Sequence, residues 1–525
     1  MPYTARSLTL AALLASLTPC TVPARAHDEP PPRTTDASRP AKSRPAPDKN
    51  ANSRRDVDRA NELQVEALRL VLDADFAGAE PVFRELLTLE PDSFVTHYNL
   101  ACVRAMRGDA EDAEQFLTRA IELGFCDRVQ IERDPMLASL RSRPLYAKIL
   151  EHWDEVLRAR RDAAVANNKR SFPSADFTAT DDRALLVYLS AFPPDTFAEI
   201  QHEMSLLADW ADRNLFPGIL DPTLAANDAW CVVVLPDRND YNRWVASTFG
   251  AGIQNGFSTI GGAYEHDQKR LIAQDLGGTL RHEFFHVLHW RSCTRLAQVH
   301  PIWIQEGLCS LVEDYDLVRT ENGDMDLTLA ASYRTNIAKR MVESRTYVPL
   351  AALVKKNRNE FFNGPRRMAY YSESRAIFLY LYSMGKLKDW YARYTSTFSE
   401  DPTGVKAIEQ VLGTTAAQFD KDFSKWLGKL PLIPEDSRPG MPSLGVEMSN
   451  GEGEGPIVSS VPFPMPVGVA KFAPNDCLTH IDGQPTRDLP ELLRRLGTLE
   501  PGQEVTLRVR RGKNILELPA TLQRR

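Results

Sequence analysis

The central part of this chain is constrained most by two histidines that flank a glutamate, in the segment His282-Glu283-Phe284-Phe285-His286. Residues four apart lie on one face of a helix, so His282 and His286 can direct imidazole nitrogens at one metal ion if this segment is helical. Glu283 then stands beside the ion, where its carboxylate can accept a proton from water. The pattern predicts a helix with two metal ligands and a general base. The plain alternative is a surface helix with incidental histidines.

A candidate third ligand follows in the segment Trp303-Ile304-Gln305-Glu306-Gly307, which precedes an apolar helical run. Together the two segments resemble the gluzincin zinc metallopeptidases of the peptidase MA-like superfamily, in which a second helix carries an Asn/Gln-Glu-Gly sequence. The resemblance implies that Zn²⁺ is bound by His282, His286 and Glu306. Three protein ligands leave a fourth position for water, as in catalytic rather than structural zinc sites.

A later tyrosine is the candidate for stabilising the transition state. Peptide hydrolysis builds negative charge on the carbonyl oxygen, which requires a positioned hydrogen-bond donor. Related aminopeptidases use a Tyr-x-x-Gly-like segment, and Tyr371-Ser372-Glu373-Ser374 resembles it with Ser374 in the glycine position. The resemblance implies Tyr371 as the donor, Tyr370 as the second choice and Arg375 as a supporting partner. A tyrosine packed inside a helical bundle is the alternative.

Other polar residues near these motifs have open roles. His289 follows His286 too closely on one helix to share its metal ion, so packing or a supporting role is expected. Glu313 can orient a ligand histidine or face solvent. The segment Gly261 to Glu265 is faintly similar to the exopeptidase motif whose glutamate binds a substrate's amino terminus. Its spacing to His282 is short, however, and a hairpin explains the same residues.

The N-terminus has the pattern of an export signal. Arg6, the apolar run Leu8 to Leu17 and the small-x-small site at Ala24-Arg25-Ala26 predict a signal peptide over residues 1–26. The apolar run is too short to span a bilayer. Residues 27–56 are rich in proline and charge and are predicted to be a disordered linker. We therefore expect a periplasmic or extracellular protein with no membrane span.

Export permits disulfides, but the cysteines beyond Cys20 are far apart and mostly in apolar surroundings. Buried free thiols are favoured over a disulfide framework. The pairs Cys102–Cys126 and Cys293–Cys309 are the ones to test first.

Residues from about 57 to 128 repeat with a period of 34 residues. A shift of one period places Ala67 on Ala101 and Ala79 on Ala113. Small residues at matching positions let paired helices approach each other. The pattern resembles the tetratricopeptide repeat and implies helical repeats over residues 57–160, with a generic helical bundle as the alternative.

Residues 175–430 are predicted to form the catalytic domain. Helical patterns run from Asp181 to about Leu215, an apolar strand follows at Cys231 to Leu235, and a hairpin is predicted from Gly262 to Ala273. From Leu276 to about Trp426 the pattern is nearly all helical. A sheet followed by helices is an α+β arrangement. We therefore expect a multidomain chain with an α-helical repeat segment, an α+β zincin-like catalytic domain and a small β-rich domain.

The C-terminal part is a separate domain by composition. Prolines mark a linker at residues 431–440, and residues 441–525 combine short strand patterns with one amphipathic helix, Leu489 to Leu496. The segment resembles a PDZ domain through Ser443-Leu444-Gly445-Val446 at the carboxylate-binding loop and Ile481-Asp482-Gly483 at a turn. The predicted strands are Leu444 to Met448, Cys477 to Ile481, Val505 to Val509 and Ile515 to Leu518.

The PDZ resemblance implies a ligand as well as a fold. Leu444, Gly445 and Val446 would bind the carboxylate of a C-terminal peptide, and Leu492 would form part of an apolar wall. Asn475 and Lys471 stand where bacterial PDZ domains usually carry glycine, which leaves open whether the domain can bind a peptide. We expect the domain to recruit substrates, with packing against the catalytic domain as the alternative.

The combined patterns predict zinc-dependent hydrolysis of peptide bonds, in which Glu283 activates water and Tyr371 stabilises the oxyanion. Proteins or peptides are the expected substrates, since a net charge of -7 gives no basic surface for nucleic acid. Endopeptidase activity is favoured, with the strand Arg270 to Ala273 expected to hold an extended peptide. Two alternatives stay open. One is an aminopeptidase related to the glycyl aminopeptidase family, and the other is a catalytically silent zincin scaffold for protein–protein interaction.

Overall fold

The computed structural model describes residues 49–221, 229–249, 261–265, 268–451, 453–462, 464 and 468–525. Contacts divide the chain into two units, residues 1–160 with 247–253 and residues 161–246 with 254–525. The predicted signal peptide lies outside the described residues, as do residues 266–267 of the predicted hairpin turn. Within the described ranges, no helix has the length and apolar character needed to cross a bilayer.

The first unit is helical throughout its described part. Its helices, the last of which continues into the second unit, are α1 (Lys49–Leu72), α2 (Phe76–Leu89), α3 (Phe94–Arg107), α4 (Ala110–Glu122), α5 (Arg128–Arg133), α6 (Pro144–Glu151) and α7 (Trp153–Ser171), with a 3₁₀ turn at Pro135–Leu140. The matched alanines Ala67, Ala79, Ala101 and Ala113 are all fully buried. Helix α1 begins within the segment predicted to be disordered, so that linker ends earlier than the composition suggested.

The second unit opens on a five-stranded mixed sheet. Its strands are β1 (Phe177–Asp181), β2 (Leu186–Ser190), β3 (Trp230–Val234), β4 (Gly262–Glu265) and β5 (Arg270–Ala273). The order is β1-β2-β3-β5-β4, with β2, β3 and β5 parallel and both edge strands antiparallel. The prediction of helix from Asp181 was therefore wrong at β2, whose apolar residues are buried as in a central parallel strand.

Helices surround this sheet and continue beyond it. They are α8 (Pro194–Asn214), α9 (Arg238–Phe249), α10 (Gly278–Leu296), α11 (Ile302–Leu311), α12 (Tyr333–Glu343), α13 (Leu350–Leu353), α14 (Arg358–Asn363), α15 (Arg367–Ser383), α16 (Leu387–Ser396), α17 (Val405–Leu412) and α18 (Ala416–Lys429). The nearly all-helical prediction missed one hairpin, formed by β6 (Tyr315–Arg319) and β7 (Met325–Leu329). Gly323 turns it with a φ of 87°, a conformation that favours glycine.

The C-terminal segment forms a second sheet around its own apolar core. Its elements are β8 (Pro442–Ser443), β9 (Glu447–Ser449), β10 (Ile457–Ser460), β11 (Cys477–Ile481), β12 (Gln484–Pro485), α19 (Leu489–Leu496), β13 (Glu504–Arg511), β14 (Asn514–Thr521) and β15 (Gln523–Arg524). The order β14-β13-β11-β10-β9 leaves β9 at one edge. Asn475 adopts a φ of 69°, so it takes the left-handed conformation expected of the usual glycine.

Candidate metal centre

Helix α10 carries the two histidines and the glutamate of the central motif on a largely buried surface. His282 and Glu283 are buried, and His286 is half-buried. The helix packs against β3, β4 and β5 of the sheet. The sequence folds this way because Leu280, Phe284 and Leu288 supply apolar contacts to the core while the polar residues share the remaining face.

Helix α11 brings Glu306 to the same place, and the glycine after it explains how. A Cβ at Gly307 would lie 2.6 Å from Cε2 of Phe378 and 2.8 Å from Cβ of Ser374. Real Cβ atoms do not approach other atoms so closely, so glycine is what lets α11 pack against α15. Gly307 therefore permits the close contact between α11 and α15 that places the neighbouring Glu306 at the site.

The three candidate ligands converge in the structure. Nε2 of His282 lies 3.2 Å from Nε2 of His286 and 3.3 Å from Oε2 of Glu306, and Nε2 of His286 lies 3.7 Å from Oε1 of Glu306. Ligand atoms bound tetrahedrally at zinc–nitrogen and zinc–oxygen distances of about 2.1 Å are separated by about 3.4 Å. Two imidazoles and one carboxylate at this spacing fit a zinc ion.

Glu313 orients the first of these histidines. Its Oε1 lies 2.9 Å from Nδ1 of His282, which leaves Nε2 of the same ring directed at Glu306 and His286. Burial opposes the charged form of His282, but hydrogen bonds with Glu306 and Glu313 raise its pKa to about 10 in the metal-free protein. Of the two roles that the sequence left open for Glu313, the structure thus selects the contact with a ligand histidine.

Glu283 lies between the candidate ligands and the edge strand β4. Burial raises the pKa of its carboxyl group, and the charge of Glu306 adds to this effect while His282 opposes it. Gly262 of β4 lies directly against it, since a Cβ there would be 2.6 Å from Cγ of Glu283. The carboxylate therefore has a basicity suited to proton transfer and a fixed position beside the edge strand.

The two tyrosines proposed as oxyanion donors differ in their surroundings. The ring of Tyr371 lies 6.3 Å from that of His282, and burial followed by the charge of Glu306 raises its pKa well above the usual value. Both rings contact Phe361, at 5.3 Å for Tyr371 and 5.6 Å for Tyr370, but only Tyr370 is a buried member of the apolar core. Arg375 donates to the carbonyls of Ser310 and Ala330, so it braces neighbouring elements rather than the tyrosine.

The edge strand β4 presents alternate residues to opposite faces. Tyr264 faces the candidate centre, with its ring 5.2 Å from that of His286. Glu265 forms a short hydrogen-bonded ion pair with Arg270 on the neighbouring strand. This residue is the one that resembled an amine-binding glutamate, and its carboxylate is already occupied. Among the described strands β4 lies at the edge of the sheet and β5 is paired on both sides, so the expectation that Arg270 to Ala273 holds a peptide was wrong.

His289, Cys293 and His300 form a second group of potential metal ligands. Nε2 of His289 lies only 2.7 Å from Nδ1 of His300, and Nε2 of His300 lies 3.2 Å from Oε1 of Gln298. The first distance is that of a hydrogen bond, shorter than the separation of about 3.4 Å between two ligands of one zinc ion. Burial lowers the pKa of both histidines, that of His300 to about 3. Two neutral rings therefore tie α10 to the segment before α11, in keeping with a supporting role for His289.

The cysteines carry no disulfide within the described residues. Cys102, Cys126, Cys231, Cys293 and Cys309 are buried, and Cys477 is half-buried.

The residues proposed to bind a C-terminal peptide differ in how far they are buried. Leu444 and Leu492 lie in the core of the C-terminal domain, 3% and 2% exposed, so the side chain of Leu492 is covered in this structure, and binding of a carboxylate at Leu444 stays a prediction for its main chain. Gly445 and Val446 are half-buried next to the edge strand β9, and Gly445 has a φ of 74°. The part of the predicted groove that remains accessible is therefore the loop and edge strand, rather than Leu492 on α19.

The C-terminal domain packs directly against helix α10, so the structure shows the packing that the sequence left open as an alternative, at a helix that the sequence could not name. Arg281, next to His282, donates to the carbonyl of Glu313 at 2.8 Å, and its guanidinium lies 3.4 Å from Glu491 of α19. Arg487 donates to Glu203 of α8 at 2.5 Å. Burial opposes ionisation of Glu203, but the charges of Arg487 and Arg281 hold its pKa down to about 2.

The glycine-rich loop after β9 completes this contact. The amide of Leu276, just before α10, donates to the carbonyl of Gly453 at 2.9 Å. Gly453 has a φ of 88°, and a Cβ there would lie 2.8 Å from Cζ of Phe192. A Cβ at Gly277 would likewise lie 2.8 Å from Cβ of Arg487. The start of the metal-ligand helix is therefore packed against the C-terminal domain by backbone contacts as well as by charge.

Comparison with known proteins identifies one part of the chain. No curated protein matches it. Among solved structures, the HtrA-type protease AlgW with decapeptide is 26% identical over 16% of this chain and 30% of its own, with a TM-score of 0.15. The crystal structure of an aminopeptidase N family protein from Idiomarina loihiensis is 13% identical over 65% of each chain, with a TM-score of 0.23. Residues 442–522 match the family model of the PDZ domain, so the chain carries a PDZ domain at its C-terminal end.

Proposed function

We propose that this protein is an exported zinc metallopeptidase of the gluzincin type that cleaves internal peptide bonds, in the periplasm or outside the cell. The observation that carries the proposal is the convergence of His282, His286 and Glu306 at zinc-ligand spacing, with the buried carboxylate of Glu283 beside them. An inactive scaffold has no chemical need for that carboxylate. The N-terminal helices, as tetratricopeptide-like repeats, and the PDZ domain would bind partners or substrates.

The side chains around the centre have separable tasks. Zinc bound by His282, His286 and Glu306 would supply a Lewis acid that polarises the scissile carbonyl and makes water more acidic. Glu283 takes a proton from the attacking water and delivers it to the leaving nitrogen. Tyr371 donates its phenol hydrogen to the oxygen on which negative charge develops. Because burial and the charge of Glu306 raise the pKa of Tyr371, it keeps that proton at neutral pH.

Cleavage inside a chain is favoured over release of single N-terminal residues. An aminopeptidase needs a free carboxylate for the substrate's amino group, and Glu265 is paired with Arg270 instead. The edge of β4 that has no strand partner in the described part of the chain can hold an extended peptide through main-chain hydrogen bonds, with Gly262 and Tyr264 next to Glu283 and His286. Rapid release of N-terminal residues, blocked by acetylation of the substrate, would contradict this preference.

The test compares two variants that separate metal binding from hydrolysis. We expect about one zinc per chain in the purified protein, a sharp loss of zinc in His286→Ala, and full zinc content without hydrolysis in Glu283→Gln. Elemental analysis and cleavage of a peptide library measure the two properties. Zinc kept unchanged in His286→Ala would disprove the ligand assignment. Equal library profiles for the wild type and Glu283→Gln would favour the silent scaffold.

A further inference from the structure

A strip of apolar side chains leads outward from the candidate metal centre. The ring of Tyr371 lies 6.3 Å from that of His282 and 6.2 Å from that of Phe362, which is a half-buried residue of α14. Met368 precedes Tyr371 by three residues on α15, so the two share one face of that helix. Met368 is 38% exposed. The apolar strip formed by Tyr371, Phe362 and Met368 therefore runs from a proposed metal ligand to the surface.

The outer end of the apolar strip carries positive charge. The guanidinium carbon of Arg358 lies 5.0 Å from the centre of the Phe362 ring, which is the distance of a cation–π contact. Arg358 is exposed, and no carboxylate pairs with it in the described part of the chain. Residues 355–367 include five basic side chains and one acidic side chain, although the whole chain has a net charge of -7. The single acid, Glu360, is already paired with Lys356. This face therefore keeps an excess of positive charge.

Charge and distance together indicate what this face can bind. A guanidinium that has no carboxylate partner is suited to the carboxylate of an Asp or Glu side chain. The successive contacts from His282 to Arg358 measure 6.3 Å, 6.2 Å and 5.0 Å. Since an extended chain rises about 3.3 Å per residue, the guanidinium lies no farther from His282 than about five residues of extended peptide. A peptide bound at the metal centre can therefore reach Arg358 with a nearby acidic side chain.

We propose that Arg358 selects peptide substrates with an acidic side chain within about five residues of the cleaved bond, while the apolar strip contacts the side chains in between. This role rests on the proposed peptidase function and deepens it, because it names a class of substrate. Arg358 lies away from the proposed ligands and Glu283. It is therefore a specificity-determining residue, which changes the peptides that are bound and not the way in which the bond is cut.

The experiment uses one fluorogenic peptide that the full-length zinc-loaded protein cleaves. The peptide is remade with Glu, Gln or Lys at each position up to about five residues on either side of the cleaved bond. At one position or more, we expect kcat/KM for Glu to exceed that for Gln by about threefold or more at low salt, and by less at high salt, as for an exposed ion pair. In Arg358→Gln this ratio should fall below about 1.5, with kcat/KM of the Gln peptide changed by less than about twofold. Arg358→Glu should reverse the preference and favour the Lys peptide.

Arg393→Gln is the matched control, because Arg393 is also exposed but lies on α16, where it is hydrogen-bonded to Gln410. It removes the same charge and should leave the Glu preference unchanged. A loss of preference equal to that in Arg358→Gln would show an effect of net charge alone and would overturn the proposal. Binding is measured separately with Glu283→Gln, in which the labelled Glu peptide should bind more tightly than the Gln peptide by a similar ratio.

The outcomes separate the role of Arg358 from the peptidase function itself. Cleavage by the wild type without a Glu preference at any position refutes the role of Arg358 alone. So does a preference that survives in Arg358→Gln, since another group would then bind the acidic side chain. If the wild type cleaves no peptide, the peptidase proposal fails, and the proposed substrate class fails with it.

Discussion

The environment of the single residue Glu373 could not be inferred from its neighbours in the sequence. Glu373 is fully buried, accepts a hydrogen bond from the amide of Val348 at 2.8 Å through one oxygen, and has no partner for the other within the described residues. Burial raises its pKa to about 8. The side chain is therefore a neutral acid in the folded protein at pH 7, whereas it ionises in the unfolded chain.

The titration of Glu373 determines how the free energy of unfolding changes with pH. Since the pKa is raised from 4.5 to about 8 on folding, the folded state holds a proton that the unfolded chain releases, and stability falls as pH rises through this window. Glu373→Gln keeps the acceptor for Val348 and cannot ionise. We expect it to raise the free energy of unfolding at pH 8 by on the order of 2–4 kcal/mol and to have little effect at pH 4. Urea unfolding at both pH values measures this, and equal effects at the two would refute it.

Secondary-structure elements were predictable where their signal is local. Helix α19 and strand β11 have the predicted ends because an amphipathic period and a short apolar run between turn residues are contained in the segments themselves. Strand β2 was missed, because a short run of residues that are all buried cannot be told from a buried helix segment by its pattern alone. The hairpin of β4 and β5 was foreseen, but which of its strands lies at the edge of the described sheet is decided by β3.

The same distinction applies to the candidate centre. Its ligands and Glu283 follow a spacing rule on two helices, so they could be named from the sequence. The ion pair of Arg334 with Glu313 follows no such rule, because it depends on where α12 and the end of α11 meet in space. The close approach of Gly262 to Glu283 likewise depends on the pairing of strands, which no local pattern specifies.

Strand β4 has no room for a side chain at Gly262, and this leads to a testable prediction. A methyl group at Gly262 would lie 2.6 Å from Cγ of Glu283 and 2.8 Å from Cγ2 of Thr279, so Gly262→Ala must displace the strand or the carboxylate. We expect peptidase turnover to fall by about tenfold or more while zinc content stays the same, because the base moves and the ligands do not. Kinetics with elemental analysis checks this. Ala263→Ser, on the opposite face of β4, is the control, and an equal loss in both variants would contradict the explanation.

At the scale of the whole molecule, the PDZ domain is integrated with the central domain rather than attached to it. Arg281, Glu203, Arg487 and Glu491 are all buried, and they come from both domains. Removing one partner of a buried charge pair leaves the other uncompensated, at a cost on the order of 3–5 kcal/mol. The expectation that this domain only recruits substrates is therefore revised, since it also supports helix α10.

Deletion of everything after Pro439 tests this integration. If the C-terminal domain only recruited substrates, the shortened protein would still cleave short peptides and would lose activity on long ones. Glu203 then loses Arg487 and Arg281 loses Glu491, although Arg281 and Glu203 keep their own contact at 3.6 Å. We expect instead that both activities and the zinc content fall together and that the melting temperature drops by several degrees or more. Calorimetry and parallel assays with short and long substrates measure the outcome. Normal turnover of short peptides by the truncated chain would show that the contact is dispensable.

The contact between Arg281 and Glu491 also has a consequence for the order in which the protein can mature. A chain is synthesised from its amino end, so the helix with the proposed ligands emerges long before Arg487 and Glu491. Until then, Arg281 lacks one of its carboxylate partners and the start of α10 lacks the support of Gly453. A chain that has not yet been extended to Glu491 would therefore hold its candidate ligands without their final support.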